Sequence, residues 1–351
     1  MLSSIFVLLP LIVAGEVHHN ISDLPSVLHE LLYMARAAPE ELARQIVESP
    51  MAAIVPPKVD FVNWAPPEPK SEGSKLPMVF AHGMGDSCFN PGMKQITNLA
   101  SKRAGVYGVC IGTGNNIVTD VLNGFLMTMN KNVEVFAQKV RSDPKLKNGF
   151  NAVGFSQGNS IIRGYIQKYN DPPVNIVIHV HGTVSGVAGF PQCNPSNNII
   201  CKSLAALCGN LAYNPLVQGV LFQADYFRDP HKLNSDGYKK YSEIAKWNNE
   251  AASNNATYSS NFNKTNRFVM VKALADTMVF PNEGEWWGHF ADGSDKEVLP
   301  MNQTVWYKNN LFGLRDADKA GKIFFETTPG NHLKFTVEDL YEWIDKYIIG
   351  M

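Results

Sequence analysis

The sequence lacks a dominant charge of either sign. Its 31 Lys and Arg residues nearly balance its 32 Asp and Glu residues, and the formal net charge at pH 7 is −1. A strong basic excess is typical of proteins that bind nucleic acid or an anionic membrane surface through charge. We therefore predict neither nucleic acid nor an anionic membrane surface as a partner.

The chain also lacks an apolar run of the roughly 20 residues that a transmembrane helix needs. A shorter apolar run, residues 5–13, lies near the N-terminus and precedes the small residues Ala14 and Gly15. This pattern predicts a signal peptide at residues 1–15, although the usual Lys or Arg before the run is absent. A buried N-terminal helix is the alternative, and it is less favoured because no polar residue interrupts the run.

Cysteine is scarce. The chain has five cysteines, and an odd count in a secreted chain leaves at least one thiol without an intramolecular partner. Secretion also agrees with four predicted N-glycosylation sequences, which begin at Asn20, Asn255, Asn263 and Asn302.

A clear set of metal ligands is missing too. His179 and His181 lie two residues apart on a predicted strand and therefore share one face. No third ligand stands at a suitable spacing, so we interpret both as structural histidines. We predict no metal ion and no organic cofactor.

The strongest motif that is present runs from Gly154 to Gly158 and reads Gly-Phe-Ser-Gln-Gly. It follows a buried strand and precedes a helix-like run, as in the G-x-S-x-G nucleophile elbow. Such a turn is strained, so the residues two before and two after the serine must be small. It places the Ser156 hydroxyl at the top of a sheet, beside a helix N-terminus that stabilises negative charge.

Strand-like and helix-like runs alternate along residues 76–351, which predicts an α/β-hydrolase fold with a mostly parallel sheet flanked by helices. Residues 190–265 interrupt this order and are predicted to form a cap over the active site, and 281–320 form a second excursion. Residues 16–75 are predicted to form a helical extension and a linker. For this segment, a structural role is favoured over a propeptide or a partner-binding helical pair.

A serine nucleophile needs a base and a carboxylate, which follow it in this fold in the order Asp or Glu, then His. Asp276 and His332 are the predicted partners because each comes directly after a strong apolar strand. The predicted oxyanion donors are the backbone N–H groups of Met84 and Gln157. Less favoured candidates lie in the two excursions, and the two histidines among them are interpreted as surface residues: Asp225, Asp229, His231 and His289.

The G-x-S-x-G motif by itself fits an esterase, a lipase, a peptidase or a thioesterase. Over about residues 76–351, however, the chain resembles the lysosomal palmitoyl-protein thioesterase family. The stretches that carry the resemblance are His82-Gly83-Met84-Gly85-Asp86-Ser87-Cys88, Asp143-Pro144-Lys145-Leu146, Asn151 to Gly158, Gln223-Ala224-Asp225-Tyr226 with Asp229-Pro230, and Phe268 to Lys272.

The resemblance implies an enzyme that removes long-chain fatty acyl groups from the S-acylated cysteines of proteins or peptides, located in the lysosome or secreted. Ser156, Asp276 and His332 fall on the family's triad positions, and Met84 and Gln157 on its oxyanion positions. It also implies a Cys193–Cys201 disulfide. Residues 16–75 have no counterpart in the family. The alternatives are a lipase or carboxylesterase acting on oxygen esters and a lipid-binding protein without turnover; the intact triad disfavours the latter.

A palmitoyl chain would need a long apolar groove that leads to the serine, because each buried methylene contributes about 0.8 kcal/mol. The top of the sheet is too polar to supply it. We expect cap residues, together with one or both tryptophans of the second excursion, to line it: Leu211, Leu216, Val220, Leu221, Phe222, Trp286 and Trp287. The alternative is that these residues only pack the cap onto the body.

Overall fold

A computed structural model of the chain describes residues 25–55, 76–194, 198–209, 211–251 and 253–350. The predicted signal peptide, Asn20 and the predicted linker residues 56–75 lie outside these residues. No helix in the described ranges is both long and apolar enough to span a bilayer.

Within the described residues, eight strands form two sheets. They are β1 (Met78–Ala81), β2 (Gly108–Cys110), β3 (Phe150–Phe155), β4 (Val174–Val180), β5 (Arg267–Ala273), β6 (His289–Phe290), β7 (Val298–Leu299) and β8 (Ile323–Thr328). The main sheet has six strands in the order β2-β1-β3-β4-β5-β8, and every neighbouring pair is parallel. The small antiparallel pair of β6 and β7 lies in the second excursion.

The helices alternate with the strands of the main sheet, and several consecutive helices form the cap. They are α1 (Ser26–Ala37), α2 (Pro39–Val47), α3 (Pro91–Ala104), α4 (Ile117–Leu126), α5 (Met129–Ser142), α6 (Gly158–Lys168), α7 (Ile199–Leu207), α8 (Pro215–Gln218), α9 (Phe222–Asp225), α10 (Asp236–Tyr241), α11 (Glu243–Trp247), α12 (Ala256–Lys264), α13 (Val305–Lys308), α14 (Leu314–Lys319) and α15 (Val337–Ile344). A π-helical turn, Asp345–Ile349, follows α15.

The main sheet is buried on both faces. Along β3, Phe150 and Ala152 pack with α5 and α6 on one face, whereas Val153 and Phe155 pack with α3 and α15 on the other. Alternate residues of a strand point to opposite faces, so a sheet covered twice needs apolar residues at nearly every position. The continuous apolar strands of the sequence follow from this demand, and the predicted α/β-hydrolase fold is confirmed.

The cap lies between β4 and β5 and contains α7 to α12. A disulfide joins Cys193 to Cys201 at its start, as the family resemblance implies. A second disulfide joins Cys88 to Cys110. Cys208 is a buried free thiol. The sequence left the pairing of these last three cysteines open.

The N-terminal helices α1 and α2 pack on the body, at α4 and the cap helix α7. Both helices are predicted from the sequence, and their apolar residues enter the main core. α4 itself is not predicted, although it places Asp120 beneath the turn that follows β1.

Candidate active site

The candidate nucleophile lies at a sharp turn between β3 and α6. Ser156 has a φ of 52°, in the left-handed region where residues other than glycine are strained. A Cβ atom at Gly154 would lie 2.1 Å from Asn159 Oδ1, and one at Gly158 would lie 2.4 Å from the carbonyl oxygen of Ala81. Only glycine fits at these two positions, as the motif predicts.

Two later loops bring a histidine and a carboxylate to this serine. His332 follows β8, and its Nε2 lies 2.8 Å from Ser156 Oγ. Its Nδ1 lies 2.6 Å from Oδ2 of Asp276, which follows β5. Asp276 Oδ1 accepts hydrogen bonds from the backbone N–H groups of Met278 and Val279, at 2.7 and 2.8 Å. The structure thus brings the three predicted triad residues into one hydrogen-bonded chain.

The Asp276 side chain is buried but remains ionised. Burial raises its pKa, but the hydrogen bond and the charge of His332 outweigh this effect and lower the pKa to about 2. An ionised carboxylate keeps the proton of the imidazole on Nδ1 and leaves Nε2 free to accept a proton from Ser156.

A second buried histidine fixes the loop that carries His332. The backbone N–H of Leu333 donates to His181 Nδ1 at 2.9 Å, and His181 Nε2 lies 2.9 Å from Thr328 Oγ1. Burial, together with the nearby His332, lowers the pKa of His181 to about 3, so the ring is neutral and Nε2 donates. Its role is therefore structural, which agrees with the interpretation from the sequence.

The predicted oxyanion donors border the serine on two sides. Met84 lies in the turn after β1 and Gln157 follows Ser156, and their exposed fractions are 3% and 2%. Among the residues that the structure describes, none accepts a hydrogen bond from either backbone N–H. Buried N–H groups without a protein acceptor beside a nucleophile are suited to bind a developing oxyanion.

Buried carboxylates hold the turn that contains Met84. Asp86 accepts hydrogen bonds from the N–H groups of Ser87 and Val55, at 2.7 and 2.9 Å. Asp120 accepts from Ser87 Oγ at 2.9 Å and lies 3.2 Å from His82 Nε2. Burial lowers the pKa of His82, but the charge of Asp120 outweighs it and raises the pKa to about 9, so this pair is ionised at neutral pH.

The side chain of Gln157 couples the oxyanion position to the cap. Its Oε1 accepts hydrogen bonds from Gln223 Nε2 at 2.7 Å and from the Tyr226 hydroxyl at 3.2 Å. Its Nε2 donates to the carbonyl oxygen of Gly124 at 2.7 Å. Sequence reasoning missed this network, although Gln223 and Tyr226 lie in one of the stretches that resemble the thioesterase family.

The space beside Ser156 is small. Its walls include Met84, Val187, Phe190 and Tyr226, and its volume is about 20 Å³. A cavity needs roughly 10–15 Å³ to hold one water molecule. The conformation described therefore leaves room for little more than solvent next to the nucleophile.

The seven residues predicted to line an acyl groove lie in the described part of the chain, and none borders this small cavity. Leu211 and Leu216 are half-buried, whereas Val220, Leu221 and Phe222 are buried in the core of the cap. The two tryptophans face other partners: Trp287 contacts Phe262 and Phe312, and Trp286 Nε1 donates to the carbonyl oxygen of Met270. Their part in acyl binding stays a prediction.

The less favoured candidates for the catalytic acid and base, in the two excursions, differ in how far they are buried. His231 is exposed, as expected. The prediction that His289 is a surface residue is wrong: it is 1% exposed, and its Nδ1 lies 3.2 Å from Arg228 Nη1. Asp225 is also buried and accepts a hydrogen bond from the N–H of Met129. Neither His289 nor Asp225 contacts Ser156.

Three predicted glycosylation sites lie in the described residues. Asn255 and Asn302 are exposed, and Asn263 is half-buried. Exposure at the first two suits the attachment of a glycan, and all the sites stay predictions.

Two clusters of potential metal ligands occur in the described residues, each with ligand atoms within 4.8 Å of one another: His82 with Cys88 and Asp120, and His181 with Asp276 and His332. In the first cluster the sulfur of Cys88 is bonded to Cys110 and is not a thiolate. In the second, the hydrogen bonds described above already engage the ring nitrogens of both histidines. Neither donor set fits a metal ion.

Comparison with known proteins shows the family of the chain. The family model for palmitoyl protein thioesterase matches residues 77–332, which include Ser156, Asp276, His332, Met84 and Gln157. The chain belongs to the palmitoyl-protein thioesterase family.

Relatives within this family cover most of the chain. Palmitoyl-protein thioesterase 1 of Caenorhabditis elegans is 37% identical over 262 residues, which are 74% of this chain and 87% of that protein. Palmitoyl-protein thioesterase 3 of Dictyostelium discoideum is 35% identical over 266 residues, 75% of this chain and 87% of that protein. Among solved structures, carboxylesterase CesB from Bacillus subtilis is similar at 13% identity and a TM-score of 0.39, over 81% of this chain and 86% of that one.

Proposed function

We propose that this protein is a serine hydrolase that removes palmitoyl and other long-chain fatty acyl groups from S-acylated cysteines of proteins or peptides. Membership of the palmitoyl-protein thioesterase family supports the reaction class. The observation that carries the assignment of residues is the continuous hydrogen-bonded chain from Ser156 Oγ through His332 to the buried carboxylate of Asp276.

The geometry suits an acyl-enzyme mechanism. Ser156 Oγ attacks the thioester carbonyl carbon while His332 Nε2 takes its proton. The resulting oxyanion accepts hydrogen bonds from the N–H groups of Met84 and Gln157. The tetrahedral intermediate collapses, the C–S bond breaks, and the protonated His332 gives its proton to the leaving sulfur. Water then attacks the acyl-serine by the same route and releases the fatty acid.

The test compares the two acyl linkages on one enzyme. Purified protein is assayed with palmitoyl-CoA and with p-nitrophenyl palmitate, alongside Ser156→Ala and the matched control Ser160→Ala. Ser160 lies in the first turn of α6, and its hydroxyl contacts Thr183 Oγ1 rather than His332. We expect kcat/KM to favour the thioester, and we expect Ser156→Ala alone to abolish both reactions.

Two other outcomes would overturn the proposal. A strong preference for the oxygen ester would make the protein a lipase or carboxylesterase with the same triad. Tight binding of palmitoyl-CoA without any turnover would make it a lipid-binding protein.

We infer that the chain travels the secretory route, to the lysosome or out of the cell. The two disulfides support this, because disulfides persist in oxidising compartments. The predicted signal peptide and the exposed Asn255 and Asn302 agree. Endoglycosidase treatment of protein from expressing cells should increase its mobility on a gel. A protein that stays unglycosylated and keeps residues 1–15 would contradict the inference.

A further inference from the structure

Residues 25–55 lie outside the part of the chain that matches the family, yet they are built into its core. Leu28, Leu31, Leu42 and Ile46, on α1 and α2, are all fully buried. They share one apolar cluster with residues of α4, α7 and the cap segment 220–222. The N-terminal hairpin, defined here as α1 and α2, therefore covers an apolar surface that the body would otherwise expose.

The segment that follows the hairpin, residues 49–55, runs beside the active site. The N–H of Ala53 donates to the carbonyl oxygen of Met84 at 2.7 Å, which ties the segment to the oxyanion turn. Met51 is 5% exposed and borders the small cavity next to Ser156. On its other side the segment borders a second cavity of about 230 Å³, which also contacts the loop of His332.

Neither of the two cavities described beside the triad is a long apolar groove. The cavity at Ser156 is about 20 Å³, and the walls of the larger one include the polar side chains of Gln192, Asn331 and Lys334. The substrate of a long-chain thioesterase has more than a dozen methylenes to bury. An apolar surface of α4 and α7 lies under the hairpin, and the hairpin's leucine and isoleucine side chains pack on it.

We propose that the hairpin and residues 49–55 occupy the binding groove for the long acyl chain and determine which substrates enter. With the hairpin in place, the cavity admits only short acyl groups. A long acyl chain binds by displacing the apolar side chains of α1 and α2 from α4, α7 and the cap. This inference rests on the proposed thioesterase function, and it makes the N-terminal segment a chain-length filter.

Hydrogen exchange on the intact wild-type protein tests the displacement directly. Hexadecyl fluorophosphonate and methyl fluorophosphonate each phosphonylate Ser156 with loss of fluoride, and they differ only in the length of the chain that must be accommodated. We expect the long reagent to increase amide exchange in residues 26–47, with the short one leaving it unchanged. Equal protection in both adducts would overturn the proposal, because the hairpin would then be a fixed wall.

Kinetics give an independent measure. Leu31→Asp places a charge under the hairpin, and Tyr33→Asp places the same charge on the same helix at a side chain that is 72% exposed. Loosening the hairpin should raise the ratio of palmitoyl-CoA to acetyl-CoA hydrolysis by about tenfold, in proportion to the fraction of open molecules. Tyr33→Asp should leave the ratio unchanged.

The two readouts separate this inference from the proposed function. An unchanged or lowered ratio in folded Leu31→Asp would contradict the filter while leaving the thioesterase intact. If no thioester is hydrolysed by any variant, the proposed function fails. The hydrogen-exchange experiment uses the wild-type protein, so it still tests the displacement of the hairpin if no thioester is hydrolysed or if Leu31→Asp does not fold.

A different observation concerns a carboxyl group behind the triad. Glu285 is fully buried, and its Oε2 accepts a hydrogen bond from the N–H of Ala273 at 2.8 Å. Its Oε1 is buried with no donor to accept from in the described residues. The carboxyl group of Glu285 lies within hydrogen-bonding reach of the Asp276 side chain. Burial is the main cause that raises the pKa of Glu285 well above its ordinary value, and the charge of Asp276 adds to it. The charge of Lys272, on β5, acts in the opposite direction.

We propose that Glu285 is a positioning residue that donates a hydrogen bond from its protonated carboxyl to Asp276. Two ionised carboxylates would repel each other and leave Oε1 unpaired, whereas a carboxylic acid supplies the missing donor. The acid then fixes the rotamer of Asp276 and, through it, the orientation of His332. No proton is transferred in this role.

Three variants test the role of Glu285. Glu285→Gln keeps a neutral donor and should retain the wild-type kcat and pH–rate profile. Glu285→Leu should lower kcat by roughly ten- to a hundredfold, as for a lost hydrogen bond to a charged group, with KM nearly unchanged. Glu283→Gln is the matched control, since Glu283 pairs with Lys272 and does not face the triad. A Glu285→Gln protein as impaired as Glu285→Leu would overturn the proposal.

Discussion

The turn that carries Ser156 and the turn that carries Met84 lie at the carboxyl ends of neighbouring strands, but different parts of the chain stabilise them. The serine turn combines local and distant support: Asn159, three residues on, donates to the carbonyl oxygen of Ser156 at 3.1 Å, and the N–H of Ser156 donates to the carbonyl oxygen of Val180 at 3.0 Å. The Met84 turn depends on groups far away in sequence, with hydrogen bonds that reach Ala53 and Asp120.

This difference separates two kinds of contribution to one reaction. The serine turn and its partners supply the bond-making groups, so their loss removes a chemical step. The Met84 turn supplies an orientation, which several weaker contacts share. Substitutions should therefore cause abrupt losses at the first turn and graded losses at the second.

Ser156→Ala should have the largest effect. Removing the nucleophile of a serine hydrolase lowers kcat by on the order of 10⁴ to 10⁶, because the acyl-enzyme no longer forms. The fold should persist, since only a hydroxyl is lost. Steady-state hydrolysis of palmitoyl-CoA measures the first effect and circular dichroism the second. More than a small residual activity would show that another group attacks the substrate.

Asp276→Asn should follow, with a loss of about 10⁴ in kcat, as when a triad carboxylate is replaced by its amide. The amide no longer holds the Nδ1 proton of His332, so Nε2 is no longer kept free as the base. Comparison with Asp229→Asn, in the cap, controls for the removal of a carboxylate. A mild effect of Asp276→Asn would place the orienting carboxylate elsewhere.

Asp120→Asn should have a smaller and mixed effect. It removes the partner of the buried His82 and should lower the free energy of unfolding by about 3–5 kcal/mol if the imidazolium stays charged. The Met84 turn should loosen, with a drop in kcat of roughly tenfold to a hundredfold. Urea unfolding and steady-state kinetics on the same samples measure both. If Asp120→Asn lowers the free energy of unfolding but keeps a normal kcat, the ion pair does not orient the oxyanion donor of Met84.

The pH dependence of stability gives the finest test of the second turn. The pKa of His82 is raised to about 9 from an ordinary value of 6.5. Its contribution is therefore complete below about pH 6.5 and is lost as the pH rises through about 9. The free energy of unfolding should fall across this window in the wild-type protein, and His82→Asn should flatten the fall. An unchanged slope in His82→Asn would contradict the ion pair.

The two turns also differ in how much of their structure could be predicted from the sequence. Gly154, Ser156 and Gly158 lie within one pentapeptide, so their steric demands are visible in the local sequence. Asp276 and His332 are predictable because parallel strands end at one edge of a sheet. No such local signal marks Asp120, Gln223 or Glu285. Asp120 acts on Ser87, 33 positions away, and Gln223 acts on Gln157, 66 positions away. Glu285 acts on Asp276 across the loop that follows β5.

The acyl-binding side is harder to predict for the same reason. Cap residues such as Leu221 and Phe222 have the composition of a groove and also of a packed core, and composition cannot distinguish the two. In the structure Leu221 and Phe222 belong to the same apolar core as the hairpin leucines, which pack on α4 and α7. The contact of α1 with α7 joins residues more than 160 positions apart, and no pattern within either segment encodes it.

The acyl-enzyme itself gives the most direct test of the central claim. Wild-type protein is mixed with palmitoyl-CoA, quenched in acid during turnover, digested and analysed by mass spectrometry. We predict one palmitoyl group on the peptide that contains Ser156 and none on the corresponding peptide of Ser156→Ala. Turnover of palmitoyl-CoA with no acyl group on Ser156, or with the acyl group on another residue, would contradict the account.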